Sequence, residues 1–414
     1  MAFIIIILII LLDIFTVWGL MRMYPQFCSL HRRLVRNVFI IQAVVSVMIL
    51  LCGFFLERQV SDYRIIALYA YFLGFVFAFY IPKSIYVAFL FADSIIATIS
   101  KRYRRLFDKF PRESRCIIAK GGFWASLVFV SFFLLGILFG RCYYVVEHVE
   151  IDFADLPRAF SEYKIVQISD IHAGSFAGSA KHLQKAIDLI NEQAPDLIVF
   201  TGDMVNNFAE EITPLIPIFS QLYARDGKYA VLGNHDYGGY FDWDTPADSA
   251  ANHEAIENAI EQMGFVLLNN QSVIINNYNT DRIALVGVEN WGIEKRHPKR
   301  ADLEKAIESV RDIPFKVLLT HNPLFWPEGV EGKTDIALTL TGHTHGMQMG
   351  IKFGKLSFSP ASLRFPYWAG LYQTGKQYLY VNRGLGVIGF PGRIGMCPEI
   401  TAITLWKEIS SEKP

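Results

Sequence analysis

The sequence predicts an α/β domain carried behind a block of membrane-spanning helices. Three observations lead there. Hydrophobic residues make up 52% of the 414 and charged residues 19%, with a mean hydropathy of +0.29, too apolar for an ordinary soluble chain. The long apolar runs all fall before residue 141. From Tyr163 onward, short β-rich runs alternate with stretches of helical period.

The apolar runs come first in the chain. Residues 2–20 (AFIIIILIILLDIFTVWGL) are long enough to span and lack both a basic leader and a small-residue cleavage site, so they are expected to form a retained helix and not a signal peptide. Residues 38–56 and 122–140 are further spans. Residues 65–99 are interrupted at Pro82-Lys83 and read either as one long kinked helix or as two helices with almost no turn. Loop charge favours one. Arg22, Arg32, Arg33 and Arg36 follow the first span, and Lys101, Arg102, Arg104, Arg105, Lys109, Arg112 and Arg115 follow the long stretch. With one span there, both basic loops face the cytoplasm, as the positive-inside rule requires. Four spans then place the N-terminus and everything after Arg141 outside, which makes a multi-pass protein of the cell membrane with an extracytoplasmic domain. Asp13 and Asp93 lie in or near the spans. An intramembrane carboxylate is a functional candidate by default; the plainer reading sets Asp13 against another helix and Asp93 near the cytoplasmic end.

Residues 141–162 read as a linker with a lead-in strand, and 163–408 as the α/β domain. Its strands are KIVQIS, DLIVFTG, KYAVLG, FVLLN, SVIIN, RIALVGV, FKVLLTH, DIALTLTGH, QYLYVN and ITAITLW, with helices expected over Lys181–Gln193, Ala251–Met263 and Ala301–Arg311. The close succession of SVIIN and RIALVGV predicts a sheet that is partly antiparallel. Cys28, Cys52, Cys116, Cys142 and Cys397 show no CxxC spacing, which argues against a zinc ribbon or a disulfide framework.

The strand ends carry the chemistry. KIVQIS runs into Asp170-Ile171-His172, DLIVF into Thr201-Gly202-Asp203, KYAVL into Gly233-Asn234-His235-Asp236, FKVLL into Thr320-His321-Asn322, and DIALTL into Gly342-His343-Thr344-His345. Strand ends of an α/β sheet converge on one crevice. So many polar groups gathered there are too costly to bury without a neutralising cation. Asp, Asn and His without thiolate suit Mn, Fe, Zn or Ni. The number of ligands suits two ions sharing one carboxylate, an arrangement fitted to in-line displacement at phosphorus.

The order DxH, GD, GNHD, H, GHTH resembles the calcineurin-like metallophosphoesterase family, with all five motifs in sequence over residues 165–346. SDIHAG, GHTHGMQ and the late NRGLG are most similar to its membrane-associated branch typified by YkuE and YaeI, and to transmembrane proteins with a metallophosphoesterase domain; that likeness covers residues 150–406. The resemblance implies a four-layer αββα sandwich and a binuclear centre of two divalent ions, with manganese favoured. It implies that Asp170, His172 and His345 hold one ion, that Asp203 bridges, and that Asn234, His321 and His343 hold the other. His235 would protonate the leaving oxygen, Asp236 would orient its ring, and a metal-bridging hydroxide would be the nucleophile.

Substrate signals are thinner. Residues 237–250 and 363–372 bring Tyr237, Arg364, Tyr367 and Trp368 near the motifs, and Arg383 follows QYLYVN. Aromatic rings with an Arg suit a lipid phosphate; they equally suit membrane-interface contact or packing on their own domain. Arg393 and His297–Arg300 are phosphate candidates or plain solvated charge. The leading expectation is a membrane-bound dimetal phosphohydrolase acting on a lipid-linked ester or pyrophosphate, with membrane lipids as neighbours. The alternatives are a tethered phosphodiesterase for soluble nucleotides, or a UDP-2,3-diacylglucosamine-type pyrophosphatase if the domain is cytoplasmic. A signalling or transport protein with a dead hydrolase domain is disfavoured by the complete ligand set. Zero net charge and the lack of a basic stripe on the α/β domain argue against a nucleic-acid partner.

Overall fold

Uninterrupted runs of Ile, Leu, Phe and Val form helices because a buried or lipid-facing backbone must satisfy its own hydrogen bonds. In the computed structural model, which describes residues 2–102, 117–176, 180–277, 281–294, 297–353 and 356–408, the first four elements are helices: α1 (Ala2–Met23), α2 (Ser29–Gln59), α3 (Tyr63–Arg102) and α4 (Ile117–Leu138). All four are long and apolar enough to cross a membrane. The stretch about Pro82 is one continuous helix of 40 residues, about 60 Å at ~1.5 Å per residue, twice a ~30 Å hydrocarbon core. The basic run from Arg104 to Arg115 lies outside the described residues, as does Cys116.

Contacts divide the chain into two compact units, Met1–Val60 with Leu68–Leu138, and Ser61–Ala67 with Phe139–Pro414. In the helical unit Asp13 is buried and bridges α1 to α3: Lys83 Nζ donates to Oδ1 and Tyr80 Oη to Oδ2 at 2.6 Å. Lys83 also donates to Gln42 Oε1 of α2 at 3.0 Å and lies over the rings of Phe39 and Tyr80. Asp93 pairs with Arg22 at 3.0 Å. Both carboxylates therefore face neighbouring helices.

The second unit begins with β1 (Val145–Phe153) and β2 (Tyr163–Ile168), then α5 (Ala180–Glu192), β3 (Leu197–Thr201), α6 (Ile216–Phe219), β4 (Lys228–Val231), α7 (Pro246–Gln262) and β5 (Val266–Leu267). It continues with β6 (Gln271–Asn277), β7 (Asp281–Gly287), β8 (Trp291–Glu294), β9 (His297–Lys299), α8 (Leu303–Ile307), β10 (Lys316–Leu319) and β11 (Leu338–Thr341). It closes with β12 (Ile351–Phe353), β13 (Leu356–Phe358), β14 (Gly370–Thr374), β15 (Gln377–Val381) and β16 (Glu399–Lys407). One six-stranded sheet has the order β1-β16-β2-β3-β4-β5 and the other β14-β15-β11-β10-β7-β6. Both are mixed, with antiparallel pairs at β16–β2, β14–β15 and β6–β7.

Alternation within the strands builds the layers. On β3, Leu197 and Val199 point between the sheets, while Ile198 and Phe200 point outward. On β10, Val317 and Leu319 meet that same inter-sheet core, and Leu318 faces the other way. Helix α5 covers the outer face of the first sheet with Leu183, Ala186, Ile187 and Ile190, the i, i+3, i+4, i+7 stripe of an amphipathic helix. Ala306 of α8, with Trp326 and Val330, covers the second sheet. The result is the αββα order expected from the family resemblance. Strands β2, β3 and β4 run parallel to one another in the first sheet, as do β10 and β11 in the second, and the segments that leave them carry the motif residues.

Replacing one member of the Asp13–Lys83 pair leaves the other charge buried alone. Asp13→Leu and Lys83→Leu are each expected to cost about 3–5 kcal/mol, and the double variant less than the sum of the two. Unfolding in detergent micelles reads this as a double-mutant cycle.

Candidate active site

The five strand ends meet. Asp170, His172 and His345 form one cluster and Asp203, His321 and His343 a second. In the first, His345 Nε2 is 3.2 Å from Asp170 Oδ1 and 3.1 Å from His172 Nε2. In the second, His321 Nε2 is 3.1 Å from both His343 Nδ1 and Asn234 Oδ1. Asp203 Oδ2 stands between them, 3.2 Å from His321 Nε2 and 3.7 Å from His172 Nε2. His235 also comes within ligand reach of His172 and Asp203.

Close approach is achieved by glycine and by strained backbone. A Cβ on Gly233 would sit 2.1 Å from Asp203 Oδ1, and one on Gly342 would sit 2.2 Å from Asp170 Oδ2. Asp170, His172, Asp203, His343 and His345 all have positive φ, between 47° and 74°. Such conformations cost of order 1–3 kcal/mol each and persist where the surroundings enforce them, typically at functional sites.

Protonation follows from the hydrogen-bond partners. His321 Nδ1 donates to the Thr201 carbonyl at 2.8 Å, and His235 Nδ1 donates to the Asn206 carbonyl at 2.7 Å. A carbonyl only accepts, so each Nδ1 carries a proton, which leaves Nε2 as the nitrogen that can offer a lone pair to a cation. Burial favours raised carboxyl pKa values, yet the charge of His345 holds Asp170 below the usual range, and that of His321 does so for Asp203. Burial lowers His172 and His235, and, with His321 beside it, takes His343 down to about 3. Burial opposes but the Asp203 carboxylate wins at His321, which rises to about 9. The donor set is thus two anionic carboxylates and several imidazole nitrogens, buried and facing one another at 3.1–3.7 Å, with the proton on His321 Nε2 the one a cation would displace. That arrangement fits two divalent cations sharing Asp203.

Asp236 departs from the expectation. Its carboxylate accepts from the backbone N–H groups of Asp203, Met204, Val205 and Gly233 at 2.7–3.2 Å and does not orient the His235 ring. Burial, then the neighbouring Asp203 charge, pushes it up to about 7. The ring is set instead by Asn206 and by Tyr240, which stacks on it at 4.2 Å and accepts from Asn234 Nδ2 at 2.8 Å. The turn containing Asn206 is tied by buried Glu211, which accepts from Asn206, Asn207, Phe208 and Gly174 amides at 2.7–3.0 Å.

The ligand clusters open into a crevice of about 570 Å³. Its lining combines Asp203, Asn234, His235, His343 and His345 with the apolar Met347, Met349, Phe365, Ile388 and Phe390, and the Phe365 ring meets that of His343 at 5.8 Å. Arg364 lines it as expected; the other four substrate candidates do not. Tyr367 packs on Trp326 and Tyr372 and donates to Glu331. Trp368 is buried behind the GHTH turn, its carbonyl accepting from Thr344. Tyr237 stacks on His253 and donates to Glu289. Arg383 is buried against Glu399 and Glu147. Arg393 is likewise buried, donating to the carbonyls of Arg383, Gly384 and Gly386. Each of these guanidiniums and hydroxyls is engaged by a protein partner, and Arg393 also lies 3.4 Å from His345 Nδ1.

The profile of the calcineurin-like phosphoesterases matches residues 163–347, the span that holds all five strand ends. The uncharacterized metallophosphoesterase YkuE of Bacillus subtilis is 33% identical over 254 residues, 60% of this chain and 81% of that one. The chain belongs to this family. Its α/β unit is a phosphoester hydrolase with the donor set of a dimetal enzyme. A zebrafish transmembrane protein with metallophosphoesterase domain is 31% identical over 63% of this chain, which spans 57% of that relative's length. The UDP-2,3-diacylglucosamine pyrophosphatase LpxG of Chlamydia trachomatis is 28% identical over 56% of this chain and 81% of its own.

Because Asp203 reaches both clusters, Asp203→Ala is expected to lose both metal equivalents, and Asp170→Ala only one. Elemental analysis of the purified variants reads the difference, and circular dichroism checks that they fold.

Proposed function

We propose that the protein is a multi-pass membrane phosphohydrolase using two divalent ions, manganese favoured, to cleave a phosphate ester or pyrophosphate of a lipid-linked substrate. The observation that carries this reading is that ligand clusters joined through Asp203 and several apolar side chains line one crevice. Asp170, His172, Asp203 and His345 would hold one ion, and Asp203, Asn234, His321 and His343 the other. Bound there, the ions would neutralise phosphoryl charge and lower the pKa of a water. Arg364 at the mouth is placed to meet phosphoryl oxygens. His235 keeps its Nδ1 proton on the Asn206 carbonyl, so Nε2 is the nitrogen that faces the leaving oxygen and, once protonated to the imidazolium, would deliver the proton. Asp236 holds the loops from which Asp203 and His235 project.

The positive-inside distribution supports an extracytoplasmic catalytic unit. The likeness to LpxG supports the second reading, hydrolysis of a nucleotide-linked lipid pyrophosphate from the cytoplasmic side. Exposed Ser309 decides between them. Ser309→Cys, in a chain with its native cysteines replaced, should react with a membrane-impermeant maleimide in intact cells; labelling only after lysis selects the cytoplasmic reading.

With manganese, detergent-dispersed phospholipid or polyprenyl phosphates should be hydrolysed faster than nucleotide diesters, and the reverse order rejects the lipid-linked reading. His235→Ala should slow esters of poor leaving groups by about 10²–10⁴-fold and nitrophenyl esters far less. Equal loss on both rules out proton donation by His235.

A further inference from the structure

The second unit distributes its exposed apolar side chains unevenly. Among the described residues beyond Arg141, nine large hydrophobic side chains are exposed, and four of them fall between positions 347 and 363. They are Met347 (41% exposed), Ile351 (66%), Phe358 (56%) and Leu363 (83%). Ile351 and Phe358 are directly opposed on the β12–β13 hairpin, so their side chains share a face. Met347 lines the crevice mouth. Leu363 ends a short 3₁₀ turn, Pro360–Leu363, whose first residue also lines the mouth.

This lip is continuous with the catalytic turn. Ser359 Oγ donates to the Gly346 carbonyl at 2.6 Å, tying the exit of the hairpin to the segment that follows His345. A Cβ on Gly350 would sit 2.5 Å from the Phe358 carbonyl. A cation follows two of the apolar residues: Lys352 beside Ile351, paired with Glu147 at 2.7 Å, and Arg364 beside Leu363, with its guanidinium over Phe365. Aliphatic and aromatic side chains with adjacent Lys and Arg are the composition of a surface lying at a lipid–water boundary. An aqueous surface disperses such residues. The four helices long and apolar enough to span supply the bilayer.

We propose that Met347, Ile351, Phe358 and Leu363 seat the crevice mouth in the lipid–water interface of the membrane that holds the chain's own helices. A phosphorylated lipid then passes from the bilayer into the crevice without crossing water. The second statement rests on the lipid-linked reading of the function; the seating itself does not.

The test uses the full chain in nanodiscs of phosphatidylcholine and phosphatidylglycerol, with native cysteines replaced and a nitroxide at Leu363→Cys or, as an exposed control, at Tyr223→Cys. Power saturation should show the label at 363 relaxed by oxygen more than by a nickel chelate, and the label at 223 the reverse. The same protein in lipid-free amphipol should expose position 363 to nickel. Nickel access at 363 in nanodiscs overturns the seating. So does protection that persists in amphipol, because a protein partner or second copy then covers the lip. In parallel, Leu363→Asp with Ile351→Asp should lower the ratio of turnover on vesicle-embedded phosphatidic acid to turnover on soluble bis(nitrophenyl) phosphate by at least fivefold. An unchanged ratio overturns direct transfer. A seated lip on an enzyme that hydrolyses no vesicle lipid retires the substrate reading and leaves the seating standing.

Discussion

The second unit is organised around one electrostatic problem: anionic carboxylates and imidazole nitrogens buried within 3.1–3.7 Å of each other. Without cations the two carboxylates repel each other, the imidazoles offset that only in part, and none can be solvated, so the fold must hold them together. It does so with parallel strands in two facing sheets, glycines where a Cβ would strike a carboxylate, and non-glycine residues with positive φ at the ligand positions. Stability is given up locally and recovered in the inter-sheet core, where Leu197, Val199, Val317 and Leu319 are fully buried.

Buried charges beyond the ligands hold the frame. Asp236 and Glu211 carry no visible chemistry, yet together they accept eight backbone N–H groups, from residues 174, 203–208 and 233. Beside His345, the buried Arg393 ties residues 383–386 in the same way through carbonyls. Gly384 and Gly386 pack directly on Asp170 and Ile171. The ligand loops are therefore fastened mainly through backbone groups, which lets side chains at the mouth vary without moving the centre.

Much of this was legible in the sequence because the ligand motifs sit at strand ends, where apolar period and polar punctuation are both local. The strands and the partly antiparallel sheets followed from the same pattern, and α3 as a single helix followed from loop charge. What escaped was long-range. Asp236 adjoins His235 in sequence, but on a 3₁₀ turn its carboxylate faces the amides after β3, some 30 residues away. Arg383 reads as a free cation because one of its partners, Glu147, is 236 residues distant. Tyr367 and Trp368 lie in an irregular segment, where no period tells an inward ring from an outward one. Strands β12 and β13 are three residues each, too short to show alternation.

The Asp13–Lys83 pair has a consequence for biosynthesis. The partners are 70 residues apart, so α1 leaves the ribosome well before the lysine exists. At ~5–20 residues per second the delay is about 4–14 s. During that time the first helix carries an uncompensated carboxylate in its apolar run, at a cost of ~2.5–3.5 kcal/mol if it enters lipid alone. The apolar residues of α1, at about −0.3 to −0.6 kcal/mol each, offset that cost, so α1 can enter lipid first, and its carboxylate gains its buried partner only once α3 arrives.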